Sequence, residues 1–350
     1  MEEKQTENKK RVFVSFYRTE RSLEFIAQYD KEHAWKRIMQ KRTFRRFRHA
    51  ALWTVGSAAC VALLLGVTYL SFFSQSPFDN DPIVALQKTF PETGGNIAFL
   101  TLDNGQVVNL TTQHGAIAQS VRNVSGGQLI YEEKHTKEVQ YNKLTIPRGG
   151  EYQLILSDGT RIWMNAESSL HYPVTFVGHT REVTLEGEAY FEVAHDKQHP
   201  FMVHTSSGAV EVLGTSFNVS AYPDAPACAT LVTGSVAVST KTSNALLSPG
   251  RQASWESDGR IEIRKVDTSL ATSWMTGTYI FQNMPLRDIA AQLSRWYDVD
   301  IRFRSAGLED IRFTGGIVRS EELAFAVNII SEVSSVKFMR ERNVIWVERK

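Results

Sequence analysis

The residues with the clearest chemical potential are three glutamates in VTLEGEAYFEV, residues 183–193. Glu186, Glu188 and Glu192 resemble the paired carboxylates with which a glycosidase protonates a leaving group and attacks or activates water. Their spacing favours a simpler interpretation, because residues two and four apart lie on the same face of a β-strand. We therefore expect a solvated acidic row rather than an active site.

Three histidines follow this segment and raise the question of metal binding. His195 and His199 stand four apart, as zinc ligands do on a helix, and His204 lies further along the chain. Pro200 and the neighbouring strand patterns argue against that helix. GTSFN at residues 214–218 is not the G-x-S-x-G motif of a serine nucleophile, and no glycine-rich phosphate loop precedes a helix. The sequence thus predicts no enzyme, metal or cofactor.

The elements that position these residues begin with a membrane segment. The chain has 350 residues, of which 42% are hydrophobic, and residues 50–73 carry no charge. These 24 residues would form about 36 Å of helix, enough to span a bilayer. Five basic residues lie just before it, whereas no Lys or Arg follows until Lys88. The positive-inside rule predicts a single-pass protein of the bacterial inner membrane, with a cytoplasmic N-terminus and a periplasmic C-terminus.

Residues 1–49 form a basic arm, with 14 Lys and Arg against 7 Asp and Glu. Its apolar residues recur at helical spacing, and a segment this short cannot bury them alone, so a partner must cover them. The docking candidates are Phe13, Phe16, Tyr17, Trp35 and Ile38. Binding of residues 41–48 to anionic lipid is an alternative for the last stretch. The arm has no room for a three-helix DNA-binding domain, so we expect no direct contact with nucleic acid.

From about residue 95 to 266 the chain reads as short strands, which predicts an all-β domain of the sandwich, jelly-roll or solenoid-like kind. Asn-Gly or Asp-Gly dipeptides separate apolar runs at residues 100–110, 154–164 and 255–263. They predict hairpins with type I′ turns. Single strands are expected at residues 201–204, 210–218, 230–239 and 252–255. In residues 183–193 the odd-numbered side chains should face the core and the even-numbered ones the solvent.

The last part of the chain predicts a small α+β domain with the order βαβ-βαβ and an added strand. Its first helix has a stripe of Leu286, Ile289, Leu293 and Trp296 after Pro285. The second has Leu323, Val327, Ile330 and Val333. The predicted organisation is an arm at 1–49, a membrane helix at 50–73, a linker at 74–94, an all-β domain at 95–266 and an α+β domain at 267–350.

Several motifs, in this order and at these spacings, resemble the FecR family of membrane-spanning sigma-factor regulators. They are PRGG from Pro147, LSDGTRIWMNAESSLHYP at 156–173, Arg181, GEAYFEV at 187–193, HPFMV at 199–203, VLGTSFNVSAY at 212–222 and LVTGSV at 231–236. The segments at 281–301 and 313–316 are similar to the C-terminal domain of such regulators, which itself resembles the short N-terminal domain of secretins and TonB-dependent transporters. We interpret GEAYFEV and DGTRIWMN as turns and alternation required by the β-fold, not as a contact surface.

The resemblance implies an anti-sigma factor. Its arm would hold an extracytoplasmic-function sigma factor, and its periplasmic part would receive a signal from the signalling domain of a TonB-dependent outer-membrane transporter. A membrane-embedded protease would then release the arm. A strand edge of the C-terminal unit is the expected transporter contact, by β-addition. The candidate residues there are Ile311, Phe313, Ile317, Val344, Ile345 and Val347.

The sequence alone leaves two alternative functions open. One is a membrane-anchored periplasmic protein that binds or hydrolyses carbohydrate, for which Trp163, Glu188 and Glu192 would be needed. The other is an envelope scaffold that uses the terminal domain as a secretin-like building block.

Overall fold

The β domain, residues 95–266, is built from two sheets that share one long strand. The computed structural model describes residues 94–118, 120–124, 126–132, 139–342 and 344–350. In chain order its strands are β1 (Phe99–Thr101), β2 (Val107–Asn109), β3 (Gly115–Ala118), β4 (Val121–Val124), β5 (Gln128–Tyr131), β6 (Tyr141–Ile146), β7 (Tyr152–Ile155), β8 (Arg161–Met164), β9 (Ser168–Pro173), β10 (Arg181–Glu192), β11 (Phe201–His204), β12 (Ala209–Val212), β13 (Ser216–Ala221), β14 (Ala227–Thr233), β15 (Val236–Ser239), β16 (Asn244–Leu247), β17 (Arg251–Trp255) and β18 (Ile261–Lys265).

Sheet I has the strand order β2-β1-β6-β9-β10-β11-β12-β15-β16, and sheet II has the order β3-β4-β5-β7-β8-β10-β13-β14-β17-β18. Most neighbours are antiparallel, but β10–β11 and β5–β7 are parallel. The inner faces of the two sheets share one core, in which Phe191 stacks on Phe217 at 5.1 Å and packs against Phe201 at 6.2 Å between ring centroids. This arrangement confirms a mostly β fold.

Strand β10 passes from sheet I to sheet II at Gly187. The residues before this glycine pair with β9 and β11, and those after it pair with β8 and β13. Gly187 has a φ of 96°, and a Cβ there would lie 2.3 Å from Oγ of Ser168. The same Oγ accepts the backbone N–H of Glu188 at 2.8 Å. Only glycine therefore allows the close approach and the bend that join the two sheets.

The three predicted hairpins are present, but their turns are not of type I′. Positive φ is confined to the glycines, with values of 81°, 82° and 83° at Gly105, Gly159 and Gly259. Each preceding Asn or Asp accepts the backbone N–H two residues later, as Asp158 does from Thr160 at 3.0 Å. This side-chain bond stabilises a type I turn followed by a left-handed glycine, so the strands are joined by five residues instead of two.

Two predicted strands are each divided in the structure. Residues 210–218 contribute to β12 and β13, and residues 230–239 to β14 and β15. The breaks contain Gly214 and Gly234, whose φ values are 153° and 92°. At these glycines the chain leaves one sheet and enters the other, a change that hydrophobic alternation does not reveal.

The C-terminal domain, residues 267–350, has the predicted order of strands and helices from residue 278 on, preceded by two short helices that were not predicted. Its elements are α1 (Ser269–Thr272), a 3-10 helix (Ser273–Thr276), β19 (Thr278–Pro285), α2 (Leu286–Tyr297), β20 (Asp300–Phe303), β21 (Arg312–Val318), α3 (Leu323–Glu332), β22 (Val336–Glu341) and β23 (Val344–Arg349). Strands β19 and β21 form an antiparallel pair, and the other sheet has the order β20-β23-β22. All four residues of the predicted α2 stripe are buried, as are Leu323, Val327 and Ile330 of α3. Helix α3 ends before Val333, which is half-buried.

No helix within the described ranges is long and apolar enough to cross a membrane. The predicted span at residues 50–73 and the predicted cytoplasmic arm at residues 1–49 lie outside those ranges.

Candidate functional site at the domain junction

Three arginines cross the contact between the β domain and the C-terminal domain, which we call the junction. Arg148 belongs to the Pro147-Arg-Gly-Gly loop and reaches the end of α2. It donates to the carbonyl oxygen of Ser294 at 3.0 Å and to Oδ1 of Asp300 at 3.0 Å. The last carbonyls of a helix carry partial negative charge, so a guanidinium stabilises this helix end. Arg148 thus attaches the β domain to α2.

Arg295 makes the reciprocal contact, from α2 back to the β domain. Its Nη2 donates to both carboxylate oxygens of Asp224, at 2.8 and 2.9 Å. Its guanidinium carbon lies 3.7 Å from the centre of the Tyr222 ring, and Nε lies 3.3 Å from Oε2 of Glu167. The planar guanidinium stacks on the Tyr222 ring while its edge donates to Asp224, a combination that the compact ammonium of a lysine does not provide.

Arg319 follows β21 and is only 2% exposed. Its Nη1 donates to Oε2 of Glu151 in the β domain at 2.9 Å and to the carbonyl oxygen of Trp274. The guanidinium carbon lies 3.5 Å from the centre of the Trp296 ring, whose indole N–H donates to the carbonyl oxygen of Arg319 at 2.9 Å. This buried cation is therefore held by a carboxylate of one domain and aromatic rings of the other.

Glu188 lies near Arg295 and Arg319 on the outer face of sheet II. Its two carboxylate oxygens accept the side-chain amides of Asn165 at 2.8 Å and Asn218 at 2.9 Å. The indole N–H of Trp274 donates to Oδ1 of Asn218 at 3.3 Å and so extends the network into the C-terminal domain. Burial raises the pKa of Glu188, and the two amides and the charges of Arg295 and Arg319 oppose that shift.

Sequence comparison agrees with the two-domain structure. Residues 142–237 match the model of the family described as FecR protein, and residues 278–347 match the one described as FecR, C-terminal. Both models describe FecR, so the chain is similar to this family over these two segments. No curated protein matches the chain.

Two crystal structures of a candidate anti-sigma factor from Parabacteroides distasonis, at 1.65 and 2.50 Å resolution, are similar to this chain. Both are 29% identical to it, with TM-scores of 0.56 and 0.57. The similarity covers 59% and 60% of this chain and 99% of each of the solved chains.

Several junction residues belong to the motifs that resemble this family. Glu188 is in GEAYFEV, Asn165 in DGTRIWMN and Asn218 in VLGTSFNVSAY. The hydrogen bonds of Glu188 to Asn165 and Asn218 lie within the β domain, so the interpretation that GEAYFEV and DGTRIWMN serve the β-fold stays a prediction. Asn218 also accepts the indole N–H of Trp274 in the C-terminal domain. Sequence reasoning did not single out the three arginines, although Arg148 lies in a quoted motif.

The structure also corrects the expectation of a uniform acidic row on β10. Glu186 is exposed, whereas Glu188 is partly covered and hydrogen-bonded on both oxygens. Two of the three histidines pair with separate carboxylates: His199 Nδ1 lies 2.7 Å from Oδ2 of Asp196, and His204 Nε2 lies 3.1 Å from Oε2 of Glu182. No group of three or more metal-ligating side chains occurs within the described ranges.

The predicted transporter-contact residues lie on two strands with different surroundings. Ile345 and Val347 are buried in β23, which is hydrogen-bonded to β20 on one side and β22 on the other. The expectation of an exposed edge at residues 344–347 is therefore wrong, because the backbone groups of a central strand are already paired. Phe313 and Ile317 are also buried, in β21, and Ile311 is half-buried just before that strand.

Strand β21 keeps an edge on the side opposite β19 that has no strand partner among the described residues. Contact with a transporter stays a prediction for Ile311, Phe313 and Ile317. The sigma-binding candidates Phe13, Phe16, Tyr17, Trp35 and Ile38 lie outside the described residues.

Proposed function

We propose that this protein is a membrane-spanning anti-sigma factor. Residues 1–49 bind an extracytoplasmic-function sigma factor in the cytoplasm, and residues 50–73 cross the inner membrane. The β domain and the C-terminal domain lie in the periplasm, where they receive a signal from the signalling domain of a TonB-dependent outer-membrane transporter. Proteolysis by a membrane-embedded protease then frees the arm with its sigma factor.

The observation that carries this proposal is the combination of both FecR domains with the similarity to a candidate anti-sigma factor. The charge distribution around residues 50–73 supports the orientation, since basic residues flank only the N-terminal side. The unpaired edge of β21 supports the receiver role of the C-terminal domain, because an edge strand can add a strand from another protein.

The test is capture of the sigma factor by the tagged full-length chain from solubilised membranes. Trp35→Ala should weaken capture strongly, because a buried aromatic anchor typically contributes about 2 kcal/mol or more. Lys36→Ala is the matched control, since this neighbouring side chain lies off the apolar stripe of residues 35, 38 and 39. Failure of the wild-type chain to capture any sigma factor would refute the proposal, and equal capture by both variants would refute the docking face.

A further inference from the structure

The chain enters the β domain at Gly94 and Gly95, directly at the junction. The N–H of Gly95 donates to the carbonyl oxygen of Gly149 at 2.8 Å, and the N–H of Glu151 donates to that of Gly95 at 2.9 Å. Gly95 and Gly150 also form an isolated parallel bridge. The entering backbone is therefore held against the same Pro147-Arg-Gly-Gly loop whose arginine binds the end of α2.

The ring of Trp296 brings the C-terminal domain against this entering backbone. A Cβ on Gly94 would lie 2.7 Å from Cε3 of Trp296 and 2.8 Å from the carbonyl oxygen of Gly149, so no side chain fits between them. The N–H of Gly149 donates in turn to the carbonyl oxygen of Arg295 at 2.7 Å. Two consecutive residues of α2 thus contact this region. Trp296 packs on Gly94, and the carbonyl oxygen of Arg295 accepts the N–H of Gly149 in the loop that holds Gly95.

Trp296 is itself buried and hydrogen-bonded within the C-terminal domain. It is 4% exposed, its indole N–H is bonded to the backbone of Arg319, and its ring lies under the Arg319 guanidinium. A displacement of the C-terminal domain would carry this ring with it. The packing contact between Trp296 and Gly94 would then be lost, because Gly94 has no side chain that could fill the space left by the ring.

We propose that Trp296 and the Pro147-Arg-Gly-Gly loop clamp the entering chain at Gly94 and Gly95, so that the C-terminal domain controls the segment leading to the predicted membrane span. This inference rests on the proposed function, and it identifies the contact at Gly94 and Gly95 as the regulatory element of the anti-sigma factor. A signal on the C-terminal domain reaches the preceding chain through α2 and through the Arg319–Glu151 pair, and it need not deform the core of the β domain. Trp296 acts here as a positioning residue.

Two adjacent glycines provide a matched test in the full-length chain. Gly94→Ala forces a Cβ against Trp296, whereas a Cβ at Gly95 would meet no atom within 4 Å. In hydrogen exchange with mass spectrometry, Gly94→Ala should speed exchange of the amides of residues 95–97 by about tenfold, the effect of an overpacking cost of about 1.4 kcal/mol. The peptide that contains β13 should exchange as in the wild type, which shows that the fold is intact.

The second readout is a reporter driven by the sigma factor in cells without inducer. Gly94→Ala should raise its output severalfold, and Gly95→Ala should leave both exchange and output within about twofold of wild type. If Gly94→Ala does not accumulate, Trp296→Phe replaces it, because the smaller ring should loosen the same contact.

Equal exchange in the two glycine variants would overturn the clamp, and so would faster exchange with unchanged output. Loss of sigma capture by the wild-type chain would instead refute the proposed function. In that case the exchange difference would still report whether the junction holds the entering chain, and Trp296→Phe would report the share of the C-terminal domain.

Discussion

The outer faces of sheets I and II both carry the alternating polar side chains of β10, but these side chains are exposed on sheet I and covered on sheet II. On sheet I the even-numbered residues of β10, among them Glu182, Thr184 and Glu186, are exposed. On sheet II the continuation of that pattern places Glu188 and Tyr190 under cover, together with Asn218 on the neighbouring strand. The difference arises because the C-terminal domain packs on sheet II, where Trp274 bonds to Asn218. A polar strand face is thus a solvent surface or an interface according to what covers it.

Gly187 separates the two environments, and its replacement should have the largest effect. We expect Gly187→Ala to lower the free energy of unfolding by about 3 kcal/mol, because it combines a positive φ with a clash at Ser168. The matched control is Gly159→Ala, which has a φ of 82° and no atom near its Cβ, and should cost only about 1 kcal/mol. Urea unfolding of the full chain, followed by tryptophan fluorescence, measures both. Equal costs would mean that the close approach at Ser168 does not matter.

The two glutamates on either side of Gly187 give the next comparison. Glu188→Gln replaces one acceptor oxygen by an amide that meets the N–H groups of Asn165 or Asn218, which should cost about 1–3 kcal/mol. Glu186→Gln alters an exposed side chain and should stay within about 0.5 kcal/mol of wild type. The same unfolding measurement decides. If both variants changed the free energy of unfolding by a similar small amount, the hydrogen bonds of Glu188 would contribute no more to stability than the solvent contacts of Glu186.

The smallest effect should appear in the pH dependence of stability. Burial raises the pKa of Glu188 above its ordinary value of 4.5, so the folded state binds this proton more tightly than the unfolded state. Its contribution to stability therefore declines as pH rises from about 4.5 through the higher folded-state value. We expect the stability difference between wild type and Glu188→Gln to shift in favour of the variant over that window. The opposite slope would show that the amides and arginines outweigh burial.

Much of the fold could be predicted from local patterns. The α2 stripe of Leu286 and Leu293 is buried as expected, and the Asp-Gly dipeptides at Gly159 and Gly259 mark real hairpins. The turn type was not predictable from the dipeptide, because Asp158 accepts a hydrogen bond from Thr160 and stays out of the left-handed region. The crossings at Gly214 and Gly234 were also missed, since a strand that changes sheets keeps its alternation.

The junction was far less predictable, because its contacts join residues distant in the chain. Arg319 and Glu151 are 168 positions apart, and Arg148 and Asp300 are 152 apart. An arginine in a strand or loop is normally predicted to be exposed on the surface. Arg319 is buried because the C-terminal domain, to which it belongs, packs against the β domain at Glu151.

The amino-acid sequence by itself determined the order of the elements, the hydrophobic face of each helix and strand, and the resemblance to the FecR family. These properties depend on neighbours in the chain, so periodicity and turn residues are enough to read them. Only the tertiary structure decided that Glu188 is covered while Glu186 is exposed, that β23 lies inside its sheet, and that Trp296 packs on Gly94. Each of these outcomes depends on which surface a second element covers, and that is a property of the assembled domains.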